Sequence, residues 1–446
     1  MIRKLFLFLF LAGGLSSFAQ EDLSITQAIE KALENNYQIK LVKANLDVSK
    51  QQNSWGMAGM SPTFSLNLTN AANLTDNTNN PATFFPGVVF NDNFSPSLDM
   101  SWTVFNGFGI RIKKERFEQL EEQTKGNAIV VIETTIYDVI IAYYSALLQD
   151  RKLDITRDLL NYSQDKLKYF HLKGDLGLST SLDVLEFENL VLTDSSNLIL
   201  QELNYKNALR NLNLVMGEDV ENQYQLTDLM EFDVPKATYG ELREYMFANN
   251  QNLKNQFINF ELQELNVQGQ KSALYPMVSL NLGFTPSVGY IQSFGENEMS
   301  ISTNSINYSG SVSVRYTLFN GLQRKRNIEI AKIQQQIAGL QIEELQLSMS
   351  HQLRSVFELY QTQSQIEDMS LRKVHHAKLL WDLGKDKYDG GLINVFNLND
   401  IRVSYQQARL NYYDRLFDLL KTHYDLLRLT GTIAQEYKAE SQLEEE

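Results

Sequence analysis

The sequence predicts an α+β chain made from one unit used twice, each copy running helix, strand, strand, long helix, helix. Three observations carry that reading. Short matches recur at a fixed offset: "SLNL" at 65–68 returns at 279–282, and "FNG" at Phe105–Gly107 returns at Phe319–Gly321, each 214 positions on. Two stretches in each half alternate apolar and polar residues by twos, the period of a strand with one apolar face. After each "FNG" the apolar residues step by three and four instead, the stripe of an amphipathic helix.

The first segment is a leader. "MIRKLFLFLFLAGGLSSFA" carries Arg3 and Lys4, an apolar run from Leu5 to Ala12 and small residues to Ala19, the pattern of a secretory signal peptide over 1–19. The run is too short to anchor the chain across a bilayer. No cysteine occurs anywhere, so neither disulfides, thiolate metal sites nor a lipid-modified N-terminal cysteine are expected. Loss of Arg3 and Lys4 with the leader takes the formal charge from −14 to −16. So acidic a chain is unsuited to binding nucleic acid. Nor does any later segment hold 18 continuous apolar residues, so no membrane-spanning helix is predicted.

The repeat fixes the domain organisation. Asn35-Asn36 matches Asn249-Asn250, Pro62 matches Pro276, Gly177-Leu178 matches Gly391-Leu392 and Gly217 matches Gly431, all at the same offset. The first repeat spans 20–220 and the second 237–434, with a linker over 221–236 and an acidic tail over 435–446. Two copies are too few for a solenoid, so one large unit is duplicated.

Each half opens on a helical segment, 22–58 and 239–273. Alternating strands follow at 61–70 and 95–105, and at 275–285 and 308–319. Phe64, Leu66 and Leu68 oppose Ser65, Asn67 and Thr69, and Leu280 and Leu282 oppose Ser279 and Asn281. Polar loops over about 71–94 and 286–307 join the strands. A soluble sandwich would show the same alternation. Strands of some ten residues match a tilted bilayer crossing. The aromatics Phe105, Tyr275, Tyr308 and Phe319, read as strand ends, match an interfacial belt.

Proline-free helices then run over 108–173 and 322–387; at about 1.5 Å per residue each reaches roughly 100 Å. "KGDLGLSTSLDVLEFENL" and "YDGGLINVFNLNDI" each break the helix and start another, over 179–216 and 393–430.

Four strands cannot close a membrane barrel, and open edges in lipid leave costly unpaired backbone groups. Two chains would close eight strands around a plugged interior. Three would close twelve around a wet lumen, which suits a lining of Ser, Asn and Thr. The prediction is therefore a trimeric twelve-stranded transmembrane β-barrel continued by a long helical tunnel.

With its leader, its duplication and the turns "GLSTSLDVLE" and "GLINVFNLND", the chain resembles the TolC family of outer-membrane efflux channels over residues 22–434. The resemblance implies a homotrimer in outer-membrane lipid with a periplasmic tunnel, a periplasmic adaptor protein as partner and, through it, an inner-membrane pump. It implies passive conduction, with no enzymatic chemistry, cofactor or metal. Gly177, Leu178, Gly391 and Leu392 fall at the tips that dock the adaptor, although a glycine there also serves ordinary turn geometry. Asp183, Glu186 and Asp400 fall at the tunnel mouth, where threefold symmetry makes carboxylate rings that favour cations. Asn397 stands where the family commonly carries an inner aspartate, which weakens that ring. Asp183 is equally explained as a helix N-terminal charge.

Other signals are weaker. His375 and His376 are adjacent and diverge on a helix, which argues against a shared metal site. Glu118, Glu121 and Glu122 read as a solvated face. A poreless periplasmic coiled-coil adaptor explains the helices but not the strands. A secreted hydrolase lacks any catalytic motif.

Overall fold

The computed structural model describes residues 21–80, 82–85, 87–176, 180–231, 237–294 and 298–436. The expected leader, residues 232–236 of the expected linker and all but two residues of the expected tail lie outside the described residues. The first half runs β1 (Glu21–Leu23), α1 (Ile25–Asn35), α2 (Tyr37–Gln52), α3 (Trp55–Ala58), β2 (Thr63–Asp76), β3 (Val88–Asn106), α4 (Gly109–Asp175) and α5 (Ser181–Met216). After β4 (Tyr224–Leu226) come α6 (Tyr239–Asn249), α7 (Gln251–Ser272), β5 (Met277–Phe294), β6 (Met299–Arg315), α8 (Gln323–Asp389), α9 (Val395–Thr430) and α10 (Ile433–Glu436). Helices α4 and α8 have 67 residues each and α5 and α9 have 36 each, every pair starting 214 positions apart.

The chain divides into a sheet unit, Ala44–Gly126 with Lys254–Glu344, and a helical unit formed by the rest. In the sheet unit four antiparallel strands lie in the order β2-β3-β5-β6. The strands have 14, 19, 18 and 17 residues, well beyond the ten-residue segments predicted. Most of the expected polar loops is thus strand, with the ladders reaching Asp76↔Val88 and Ser293↔Met299. The alternation signal fails there because Asn70 and Asp92 put polar side chains on the face that carries Leu66 and Leu98, and period two is legible only where one face is apolar. At the other end β6 stops at Arg315, short of the predicted 319.

In the helical unit the predicted helices over 22–58 and 239–273 are broken, at Asn36 and Asn250. Asn36 takes extended backbone, its Nδ2 donates to the Val215 carbonyl at 2.7 Å, and its Oδ1 accepts from Gln38 N–H. Asn250 repeats this, donating to the Leu429 carbonyl at 3.0 Å and accepting from Leu253 N–H. The ends of α5 and α9 press on the same breaks. Gly217 and Gly431 cap them at φ 77° and 69°, and a Cβ on either would come within 3 Å of the Asn35 or Asn249 carbonyl oxygen. The Asn-Asn and Gly repeats are therefore one joint built twice.

One core cluster gathers Leu23, Ile136, Ile140, Tyr143, Leu147 and Leu212 together with Leu416 and Leu420 of α9; a second gathers Met246, Leu253, Leu353, Phe357 and Leu419. Tyr143 and Phe357 occupy equivalent positions in the two halves and differ by a hydroxyl. The Tyr143 hydroxyl donates to the Leu23 carbonyl and to the Asp228 carboxylate, which also accepts from Ile25 N–H. These bonds secure β1, which pairs in parallel with β4, a strand inside the predicted linker and too short to show a period. One window of α4 is apolar enough by composition to cross a membrane, with mean hydropathy 1.4, but half of it is buried within the protein. That is the behaviour of a core helix.

Candidate functional site

The sheet unit carries the first functional surface. Direct cross-strand partners share a face. Leu66 faces Leu98, Leu98 faces Phe284 and Phe284 faces Tyr308, so one face is apolar across all four strands. One residue along, Asn67 faces Ser97, Ser101 faces Asn281 and Asn281 faces Ser311. The polar side chains bond along this second face: Asn67 Nδ2 donates to Asp99 Oδ2 at 3.0 Å and Ser101 Oγ to Asn281 Oδ1 at 3.1 Å. Phe64, Leu66 and Leu68 are 65–69 % exposed. An apolar surface of that extent, spread over four strands, marks contact with lipid or protein.

Three details were not in the sequence. The β3–β5 register shifts between Thr103 and Phe105, a bulge at Val104 that sets Phe105 opposite Val278 on the apolar face. Tyr308, expected at a strand end, stands inside the ladder opposite Phe284, their rings 5.3 Å apart. Glu121, expected to be solvated, accepts from Asn53 Nδ2 at 2.6 Å.

At the strand-to-helix turn, Gly107 and Phe108 both take φ 68°, and Asn106 Oδ1 accepts from Ile110 N–H to start α4. The Phe108 ring meets Phe105 and Tyr275 edge-on. Gly321 and Leu322 repeat the turn at 66° and 65°.

The helical unit carries the second surface, where α4 turns into α5 and α8 into α9. Gly177 and Leu178 lie outside the described residues. At the other turn Gly391 has φ 70°, Leu392 N–H donates to the Lys387 carbonyl at 2.8 Å, and the Leu392 side chain is 77 % exposed.

The four expected mouth residues are two equivalent pairs, Asp183 with Asn397 and Glu186 with Asp400, each in the first turns of α5 or α9. Asp183 closes a capping box: its carboxylate accepts from Thr180 N–H at 3.1 Å and the Thr180 hydroxyl at 2.7 Å. Asn397 only donates its backbone N–H to Asn394 Oδ1 at 2.9 Å, leaving its side chain exposed. Asp400 is exposed and Glu186 half-buried. Tyr388 on α8 packs against the same buried cluster as Val184 on α5, and burial, together with the charge of Asp183, pushes its phenol up to about 12.

Beneath these turns Phe170, Phe187 and Val395 are buried together, the two phenyl rings stacked at 4.8 Å. Further along, Arg402 Nη1 on α9 donates to Asp194 Oδ2 on α5 at 2.9 Å, and Ser163 Oγ on α4 donates to the same oxygen at 2.7 Å. Sequence reasoning missed this group. Its members have no counterparts, since Ala408 and Glu188 occupy the equivalent positions.

The profile of the outer membrane efflux protein family matches residues 28–218 and 242–432, one match on each repeat. The chain belongs to that family. Among curated relatives, the toxin and drug export protein A of Aggregatibacter actinomycetemcomitans is 22 % identical over 326 residues, covering 72 % of this chain and 67 % of its own. The outer membrane channel CmeC of Campylobacter jejuni superposes with a TM-score of 0.73 at 16 % identity, covering 95 % of this chain and 90 % of its own. The open-state MtrE outer membrane channel of Neisseria gonorrhoeae gives 0.68 at 15 %, covering 94 % and 93 %. An outer membrane efflux protein acts as an export channel in the outer membrane of a Gram-negative cell, with a large periplasmic part. Membership leaves no support for a poreless adaptor.

Proposed function

We propose that three copies close their sheets into a twelve-stranded barrel, with helices continuing the passage through the periplasm. Cargo moves through it passively, delivered by a periplasmic adaptor and an inner-membrane pump. The observation that carries this reading is the division of one four-stranded sheet, over the rows that hold Phe64, Leu66 and Leu68, into an apolar face and a largely Ser/Asn/Thr face. Lipid suits the first and water the second.

The helical turns serve as the docking and gating end. The exposed Leu392 beside Gly391, and by the repeat Leu178 beside Gly177, present an apolar tip to the adaptor. Threefold symmetry turns Asp183, Glu186 and Asp400 into carboxylate rings that favour cations, with Asn397 contributing a neutral ring. The free side chain of Asp400 supports a gating role better than that of Asp183, whose carboxylate is engaged in capping. The relative named for toxin and drug export makes bulky organic molecules and polypeptides the first cargo to try.

Native mass in mild detergent, followed by conductance in a planar bilayer, tests the proposal. Three chains and a voltage-tolerant pore are expected; a one-chain particle without conductance would remove the channel assembly. The gate is tested separately with Asp183→Asn, which keeps a capping oxygen, and Asp400→Asn. Both should lower cation preference, and unchanged selectivity in the double variant would sink the gate while leaving the channel.

A further inference from the structure

The duplication places the same two kinds of strand at the middle and at the edges of the sheet. β3, the second strand of the first repeat, pairs with β5, the first strand of the second. At the open edges stand β6, the equivalent of β3, and β2, the equivalent of β5. We infer that β6 of one copy pairs with β2 of the next in the register of β3 on β5, so the internal junction is the template for the junction between copies. This rests on the assembly proposed above and adds its register.

The template fixes residues. Moving β3 forward and β5 back by one repeat turns Met100↔Leu282 into Val314↔Leu68, Thr103↔Ser279 into Thr317↔Ser65, and Phe105↔Val278 into Phe319↔Phe64. In these three pairs apolar meets apolar and polar meets polar; further along, Leu98↔Phe284 becomes Val312↔Asn70, a mixed pair. A slip of one residue would exchange the faces and set Val314 against a polar residue, Asn67 or Thr69.

Two further observations point the same way. β3 continues as strand to Asn106 along β5, whereas β6 ends at Arg315, where the ladder with β5 reaches Met277. Residues 316–320, with Leu318 at 90 % and Phe319 at 76 % exposure, are the stretch the template gives to β2 of a second copy. The two equivalent turn glycines also differ in surroundings. A Cβ on Gly107 would lie 2.3 Å from the Ser272 carbonyl oxygen and 2.7 Å from Tyr275 Cβ, whereas Gly321, with the same backbone, has open space. By the repeat, Ala58 and Ser61 of the neighbouring copy stand there.

The chain has no cysteine, so an engineered pair reports register directly. Opposed ladder positions hold Cα atoms within disulfide reach. A slip of two residues displaces them by roughly 6.6 Å along the strand and takes them out of reach. Thr317→Cys with Ser65→Cys, oxidised in the membrane, should shift the denatured chain from one-chain to three-chain mass. Ser313→Cys with Thr69→Cys, in the same register, should do so as well. Thr317→Cys with Asn67→Cys, or with Thr63→Cys, should stay at one-chain mass. Cross-linking by either slipped pair, or by no pair, in protein that is trimeric in detergent would overturn the register and spare the channel reading. A one-chain native mass would overturn both.

Discussion

Arg402 and Asp194 form an ion pair at 2.9 Å with both side chains only 5–6 % exposed, joining α9 to α5 inside the helical unit. The other ion pairs of the described residues are more open to solvent, many of them between neighbours on one helix. Ser163 donates to the same carboxylate oxygen and Arg402 Nε donates to Asn399 Oδ1 at 3.1 Å, so the charges are hydrogen-bonded as well as paired.

Breaking such a pair strands a buried charge. Asp194→Leu or Arg402→Leu alone should each cost about 3–5 kcal/mol, and the double replacement distinctly less than their sum. Urea unfolding followed by helical circular dichroism reads all three. Additive losses would mean that the two residues are not coupled.

Glycines with the same backbone conformation should differ in their tolerance of a side chain. Gly391→Ala faces open space and should cost only the left-handed backbone, about 1–2 kcal/mol. Gly217→Ala and Gly431→Ala add a clash with the Asn35 or Asn249 carbonyl and should cost more, by similar amounts in the two halves. Melting temperatures of the three variants decide it, and equal losses at all three would refute the joint described above.

A charge should be tolerated on one face of the sheet and rejected on the other. Leu282→Arg lies on the apolar face and should cost about 2–4 kcal/mol in membrane stability, whereas Asn281→Arg should assemble and alter ion selectivity. Yield of membrane-inserted, heat-resistant oligomer separates the two. Equal yields would mean the faces are misassigned.

His423, set against Tyr360 and Tyr424, has its pKa lowered to about 4 by burial. The folded state holds this imidazole neutral, while the unfolded chain protonates it near 6.5. Its contribution is therefore whole above pH 6.5 and is lost as pH falls from 6.5 towards 4, at most roughly 3 kcal/mol. His423→Gln should flatten stability over that window in a pH series of unfolding curves. An unchanged slope would assign the acid sensitivity to other groups.

The tyrosines move the opposite way. Burial raises Tyr162, Tyr205 and Tyr360 to about 12. Their neutral forms stabilise the fold fully below pH 10, and that stability is lost as pH rises from 10 towards 12. Ultraviolet titration of phenolate should coincide with loss of helical signal. Ionisation near pH 10 with the fold intact would contradict the burial.

The sequence by itself determined the duplication, the two-faced strands, the long helices and the family, because each is written in local periodicity or in a fixed offset. It also located the turns, since Gly391 and the capping residues Thr180 and Asn394 act within a few positions of themselves. Tertiary structure alone decided the rest. The outer strand segments mix polar and apolar residues on the face that is apolar elsewhere, and their strand is seen only in the pairing with their partners. The bulge at Val104 exists only against β5, and the breaks at Asn36 and Asn250 are held by carbonyls 179 residues away. Arg402 finds Asp194 across 208 residues with no echo in the other repeat. Periodicity reports which face is apolar; which residue meets which is settled by chain closure, and no local pattern encodes that.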